Sequence, residues 1–106
     1  MSDFYCDEVL SGRTSVRIAA ETERVLAFYH TRPAYPLHIV VIPKQHIPSL
    51  LEIDDDALLA ELFGVIKAVA AQVVAEHGAA RVVTNLGAYQ DSKHLHWHVI
   101  SGQALG

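Results

Sequence analysis

Three histidines alternate with apolar residues near the end of the chain, in the run His94-Leu95-His96-Trp97-His98-Val99-Ile100. Alternation at period 2 predicts a half-buried β-strand from His94 to Ser101, with residues two apart on one face. Leu95, Trp97 and Val99 then enter a core, and His94, His96 and His98 line the opposite face. At roughly 3.4 Å per residue, neighbouring imidazoles in this row stand about 7 Å apart. Burying them without partners costs free energy, and exposing them needs no such regularity. The row therefore points to chemistry near neutral pH, where imidazole titrates. Two chemistries suit it. In one, a neutral ring nitrogen attacks phosphorus. In the other, His94, His96 and His98 hold a catalytic zinc with a water in the fourth position, although a straight strand spreads three ligands along a line.

The elements that must position these rings follow from pattern. Val16 to Glu21, Val25 to Tyr29, His38 to Ile42 and Arg81 to Leu86 read as strands, and Phe4 to Leu10 as a turn or short helix. Pro33 and Pro36 fix a loop from His30 to Pro36, and Pro43 stops the third strand. Asp54 to His77 is one long helix, with Leu58, Leu62, Ile66, Val69 and Val73 as its apolar stripe. Asp54, Asp55 and Asp56 supply its cap and Gly78 its C′ residue. The acidic run thus has a structural use. Residues 87–93 form a polar loop and the last residues a loose tail. The fold class is α+β: a five-stranded antiparallel sheet with one long helix packed on it. One helix cannot cover both faces of five strands, so a symmetric homodimer is expected.

Composition sets limits. The 106 residues suit a single domain, and 51% hydrophobic with 19% charged content suits a folded one. A net charge of −4 without a basic run argues against nucleic acid or a membrane surface as partner, and no run is expected to approach the roughly 18 apolar residues needed to span a bilayer. Met1 to Phe4 has neither a basic nor an apolar leader pattern, so a cytoplasmic location is expected. Cys6 is the only cysteine; it reads as a small packed residue, and His46 and His77 read as structural.

The run His94 to Ile100 resembles the defining motif of the histidine triad family, His-Φ-His-Φ-His-Φ-Φ with Φ apolar, at all seven positions. Phe28, Pro33, Pro36, His38, the apolar run to Ile42, Pro43-Lys44 and His46 resemble the family's nucleotide-binding half, and Asn85-Leu86-Gly87 and Gln90 also match. The resemblance implies hydrolysis or transfer at the α-phosphorus of a purine nucleotide. His96 would be the nucleophile that forms a covalent nucleotidyl-histidine. His98 would bond to phosphate oxygens and the leaving group, His94 would orient its neighbours, and His38 would complete the cluster. Asn85, Gln90 and Ser92 would face the phosphate. Phe4, Val9, Phe28 and Leu37 are candidates to flank the base, with ordinary core as the plainer reading of each. No metal or other cofactor is required for the chemical step. A nucleoside phosphoramidase releasing AMP is the branch implied by the small size. A dinucleoside polyphosphate hydrolase, a non-catalytic nucleotide-binding dimer that keeps the triad, and a metal-dependent hydrolase are the alternatives.

Two departures stand out. His30 occupies a position where many members carry an acidic residue that accepts from the ribose hydroxyls, and Asp91 follows Gln90 where many carry Ser or Thr. Some members also carry a paired-cysteine zinc site, for which Cys6 has no second cysteine.

Overall fold

The computed structural model describes residues 5–105. The element order is β1 (Ile18–Glu21), β2 (Val25–Tyr29), β3 (Leu37–Pro43), α1 (Asp56–His77), β4 (Arg81–Val83) and β5 (Trp97–Ser101). All neighbouring strands pair antiparallel, in the order β1-β2-β3-β5-β4. A wide helical turn, Tyr5–Leu10, precedes the sheet.

Alternation along the strands sorts the core into two layers. Val25, Ala27, Ile39, Val41, Trp97 and Val99 face α1, together with Leu95. Leu26, Phe28, Val40 and Ile42 face the other way, where the N-terminal turn covers them with Tyr5 and Val9. α1 buries the expected stripe and adds Val65. It starts where Asp55 accepts from the Leu58 N–H at 3.0 Å, and Arg24 clamps the same carboxylate at 2.7 Å. That guanidinium and the two backbone donors hold Asp55 below the usual carboxylate range. The helix ends at Gly78, whose φ of 85° is a left-handed conformation and whose N–H donates to Val74 O.

Several expected bounds shift. β5 begins at Trp97, so His94 and His96 lie before the ladder. The reason is the Leu95 N–H, which donates to Ile47 O at 2.6 Å and fixes this stretch against the β3–α1 connection instead of a strand. β4 stops at Val83 because the chain turns away there, and Thr84 Oγ1 donates to the His96 carbonyl instead. β1 begins at Ile18. The C-terminal tail is tied, with the Leu105 N–H donating to Ala34 O at 2.8 Å. At Gly102, φ is 89° and a Cβ would stand 2.8 Å from Pro36, so only glycine lets β5 leave across the loop that leads into β3. Against expectation, α1 is by length and composition apolar enough to cross a bilayer, although Glu61, Lys67 and Gln72 interrupt the run. One stripe of that apolar surface is used against the sheet. Phe63 and Val74 stay about half exposed, at 48% and 47%.

Leu62 is fully buried between α1 and the sheet. Leu62→Ala should therefore cost about 2–5 kcal/mol in urea unfolding, whereas Leu51→Ala, at a site 78% exposed, should change stability by less than about 0.5 kcal/mol. Equal effects would show that the helix–sheet layer is not the main core.

Candidate active site

β3 and β5 lie side by side with Val40 opposite His98 and His38 opposite Ile100. This register places His38 diagonally across from His98 on the face away from α1. His38 Nε2 and His98 Nδ1 are 2.8 Å apart. The direction of that bond is set one step back. The Ala34 N–H donates to His38 Nδ1 at 3.0 Å, so the single proton of neutral His38 sits on Nε2. His38 then donates to His98 Nδ1, and the proton of neutral His98 sits on its own Nε2. Both rings are neutral at pH 7. Each is pushed down to about 4, first by burial and then by neighbouring imidazoles.

His96 has the opposite polarity. Its Nδ1 lies 2.7 Å from the His94 carbonyl, which can only accept. The Nδ1 therefore carries a proton, and in the neutral ring Nε2 carries the lone pair. The His96 and His98 rings stand 4.9 Å apart at 88°. A ring nitrogen with a lone pair thus lies beside a ring with an N–H donor.

His94 is turned out of this pair. It is fully buried, its Nε2–H donates to Pro43 O at 2.8 Å, and its Nδ1 lies 3.4 Å from Cys6 Sγ. The three triad rings therefore do not converge on one point, and the reading of His94, His96 and His98 as one zinc site is corrected. The residues whose donor atoms do converge are Cys6, His46 and His94, with one donor atom of each within 4.8 Å of the others; Cys6 Sγ lies 3.8 Å from His46 Nδ1 and 3.4 Å from His94 Nδ1. Sulfur with two imidazoles suits zinc. The Pro43 bond is the outer contact a metal-bound histidine usually keeps. The three donors fit such an ion, and no fourth belongs to their group among the described residues. Cys6 and His46, read from sequence as separate structural residues, form one cluster with His94.

A cavity of about 570 Å³ opens on the face away from α1, lined by Tyr5, Thr14, His30, Thr31, Arg32 and Ser92. The Tyr5 ring stands 5.1 Å from His96 and packs against Phe28 at 6.0 Å. His30 is stacked near His98 at 6.4 Å and lies 4.5 Å from His38. Ser92 Oγ is buried and has no hydrogen-bond partner.

The other expected residues divide. Phe28 and Val9 are buried in the layer beneath Tyr5, so they support the cavity wall without lining it. Leu37 packs with the α1-side layer, because it is one residue from His38 and points the other way; it is not part of the site. Gln90 is buried, and its amide Nε2 donates to Pro48 O and Ser92 O at 2.6 and 2.8 Å. It shapes the loop that carries Ser92 and does not line the cavity. Asn85 is half-buried beside Thr84 and does not line the cavity. Asp91 is exposed, and Lys93 spends its ammonium on Gly87 O and Gln90 O. Phe4 lies outside the described residues. Sequence reading missed Tyr5, Thr14, Thr31 and Arg32. Only Tyr5 and Arg32 offered a signal, as an aromatic beside Cys6 and a cation two residues after His30.

The depressed imidazoles make stability pH-dependent. Unfolded histidines take up protons near pH 6.5, whereas His38 and His98 stay neutral until about pH 4. Between those values the unfolded chain binds more protons, so stability falls as the pH drops through this window. The melting temperature should decline from pH 7 to pH 4, with a shallower slope in His98→Gln. An unchanged slope in that variant would contradict the buried neutral pair. Asp55 and Glu61, also held below their usual range, lose their contributions at lower pH.

Comparison with known proteins agrees with this geometry. The family model described as the HIT domain matches residues 13–105. An uncharacterized 13.2 kDa HIT-like protein of Azospirillum brasilense is 38% identical over 104 residues, covering 92% of this chain and 84% of that protein. An HIT-like protein of Synechococcus elongatus is 41% identical over 91 residues, covering 83% and 80%. Among solved structures, a histidine triad protein from Clostridium difficile is 33% identical with a TM-score of 0.81, covering 100% of this chain and 95% of that one. A HIT family hydrolase from Legionella pneumophila is 28% identical with a TM-score of 0.81, covering 96% and 94%. The His38–His98 pair on adjoining strands, with His96 beside it, agrees with the family match, and the chain belongs to the HIT domain family.

Proposed function

We propose that this protein is a purine nucleotide hydrolase acting at the α-phosphorus, as a nucleoside phosphoramidase that releases AMP. The observation that carries this reading is the opposed polarity of His96 and His98, whose rings are 4.9 Å apart. The His96 Nε2 lone pair attacks phosphorus, an Nε2–P bond forms and the P–N bond breaks. The His98 Nε2–H donates a hydrogen bond to a phosphate oxygen and the leaving-group side, and His38 holds the tautomer that makes this possible. The departing amine takes its proton from a water; the hydroxide so formed attacks phosphorus, the Nε2–P bond breaks, AMP leaves and His96 Nε2 regains its lone pair. Ser92 Oγ, buried and without a partner, is the group on the loop available to a phosphate oxygen. A zinc ion on Cys6, His46 and His94 would supply a fixed charge that ties the N-terminal turn to the triad; no step is routed through it. Such a hydrolase would act in the cytoplasm.

A homodimer remains part of this reading. The half-exposed Phe63 and Val74 on α1, and Val82 (44% exposed) on edge strand β4, are apolar surface that a second copy would cover. Sedimentation of wild type should give a dimer and Phe63→Glu a larger monomer fraction; a wild-type monomer would overturn it.

The activity test is a single-turnover incubation with an adenosine phosphoramidate carrying a fluorescent amine, with chelator present. Wild type should release amine and gain an acid-labile mass of one AMP group. His96→Ala should lose both, by about a thousandfold or more in rate, and His98→Ala should slow release by about 10²–10⁴-fold. AMP binding without release in wild type would replace the hydrolase with a nucleotide-binding dimer.

A further inference from the structure

We propose that the cavity beside the imidazoles accepts a nucleotide whose ribose carries a second phosphate, as a monoester on the 2′ or 3′ hydroxyl. The inference rests on the nucleotide reading above and names its substrate class more narrowly.

His30 carries the argument. The Arg32 N–H donates to His30 Nδ1 at 2.9 Å. The other tautomer would set two N–H groups against each other, so the bond pins the proton of His30 on Nε2. No further hydrogen bond of this ring occurs among the described residues. His30 therefore offers the cavity a donor. Burial first, then neighbouring His96, lowers its pKa, which keeps the ring neutral with this single proton. Its position fixes what it meets. With phosphorus at His96, the sugar is one ester bond away, and His30, on the cavity wall, stacks 6.4 Å from His98, the next triad ring. Tyr5, 5.1 Å from His96, supplies the flat wall for the base.

A free ribose diol brings two O–H donors and is best held by an acceptor such as a carboxylate. This cavity presents the reverse. Among the described residues its lining holds His30, Arg32, Thr14, Thr31 and Ser92 with Tyr5, and no carboxylate, in a chain of net charge −4. The nearest acid bonded to the lining is Glu8, which accepts from Thr14 Oγ1 at 2.9 Å. A phosphate monoester is an acceptor with a charge of about −1.5 to −2 near neutral pH. It matches an N–H donor beside an arginine fork, and such charge-assisted bonds are the strong ones.

The test compares binding of AMP, adenosine 3′,5′-bisphosphate and adenosine 2′,5′-bisphosphate by calorimetry, with wild type, His30→Asp and Arg32→Ala, each checked by thermal melting. Wild type should bind one bisphosphate at least about tenfold more tightly than AMP. Arg32→Ala keeps the backbone N–H that pins His30 and should lose most of that preference. His30→Asp should reverse it in favour of AMP. Wild type binding AMP as tightly as both bisphosphates, with phosphoramidate cleavage intact, would overturn this inference alone. A preference that survives both substitutions would also overturn it, because the second phosphate would then sit elsewhere. No binding of any of the three, with no amine release, would overturn the nucleotide reading and this inference together.

Discussion

The arrangement of this site depends on where two protons sit. An imidazole has two nitrogens of opposite use, and only its partners decide which one donates. Here the decision begins at the backbone. The Ala34 N–H sets His38, and His38 sets His98. Separately, the His94 carbonyl sets His96. One ring is left with a donor facing the site and the other with a lone pair. The elements of the fold serve this arrangement. The β3–β5 register brings His38 to His98, Leu105 ties the loop that holds Ala34, and Gly102 lets the chain pass over Pro36.

Burial reinforces the pattern. Desolvation penalises the charged imidazole, so His38 and His98 remain neutral across the ordinary pH range and their hydrogen bonds keep their direction. A protonated His38 would have a donor at both nitrogens and would oppose the Ala34 N–H. The two-layer core makes such burial possible. α1 covers one face of the sheet, and the N-terminal turn partly covers the other with Tyr5 and Val9. The site forms where that second cover stops.

The parts of this structure that repeat with a fixed period were legible in the sequence. The period-2 run placed Leu95, Trp97 and Val99 in the α1-side core, and the 3.6-residue stripe located α1 to within two residues at its start. The same alternation would have removed Leu37 from the site, since it neighbours His38 and must face the other way. What could not be read came from contacts between distant segments. Cys6, His46 and His94 converge across 88 residues of sequence. The Leu95 N–H bonds to Ile47 O and keeps His94 and His96 out of the ladder. Gln90 looked like a phosphate ligand because it is polar and sits in the right loop, but its amide braces backbone carbonyls. No local pattern distinguishes these roles, because each depends on which backbone group of another segment lies within about 3 Å.

The same logic of proton placement extends from the reaction to recognition. His30 sits between two influences. Its backbone N–H donates to His38 O, which ties the loop to β3, and its ring accepts from the Arg32 N–H. A turn of only three residues thus converts a side chain that could accept or donate into one that donates. A carboxylate at this point would accept and would carry negative charge. The two choices differ in sign at one position on the cavity wall, a donor against an acceptor. Such an exchange keeps the direction of the His38–His98 bond, which is set from Ala34, but removes the neighbouring imidazole that helps hold both rings neutral. The bond that orders the His38 and His98 protons therefore does not pass through His30, although their charge state does feel it.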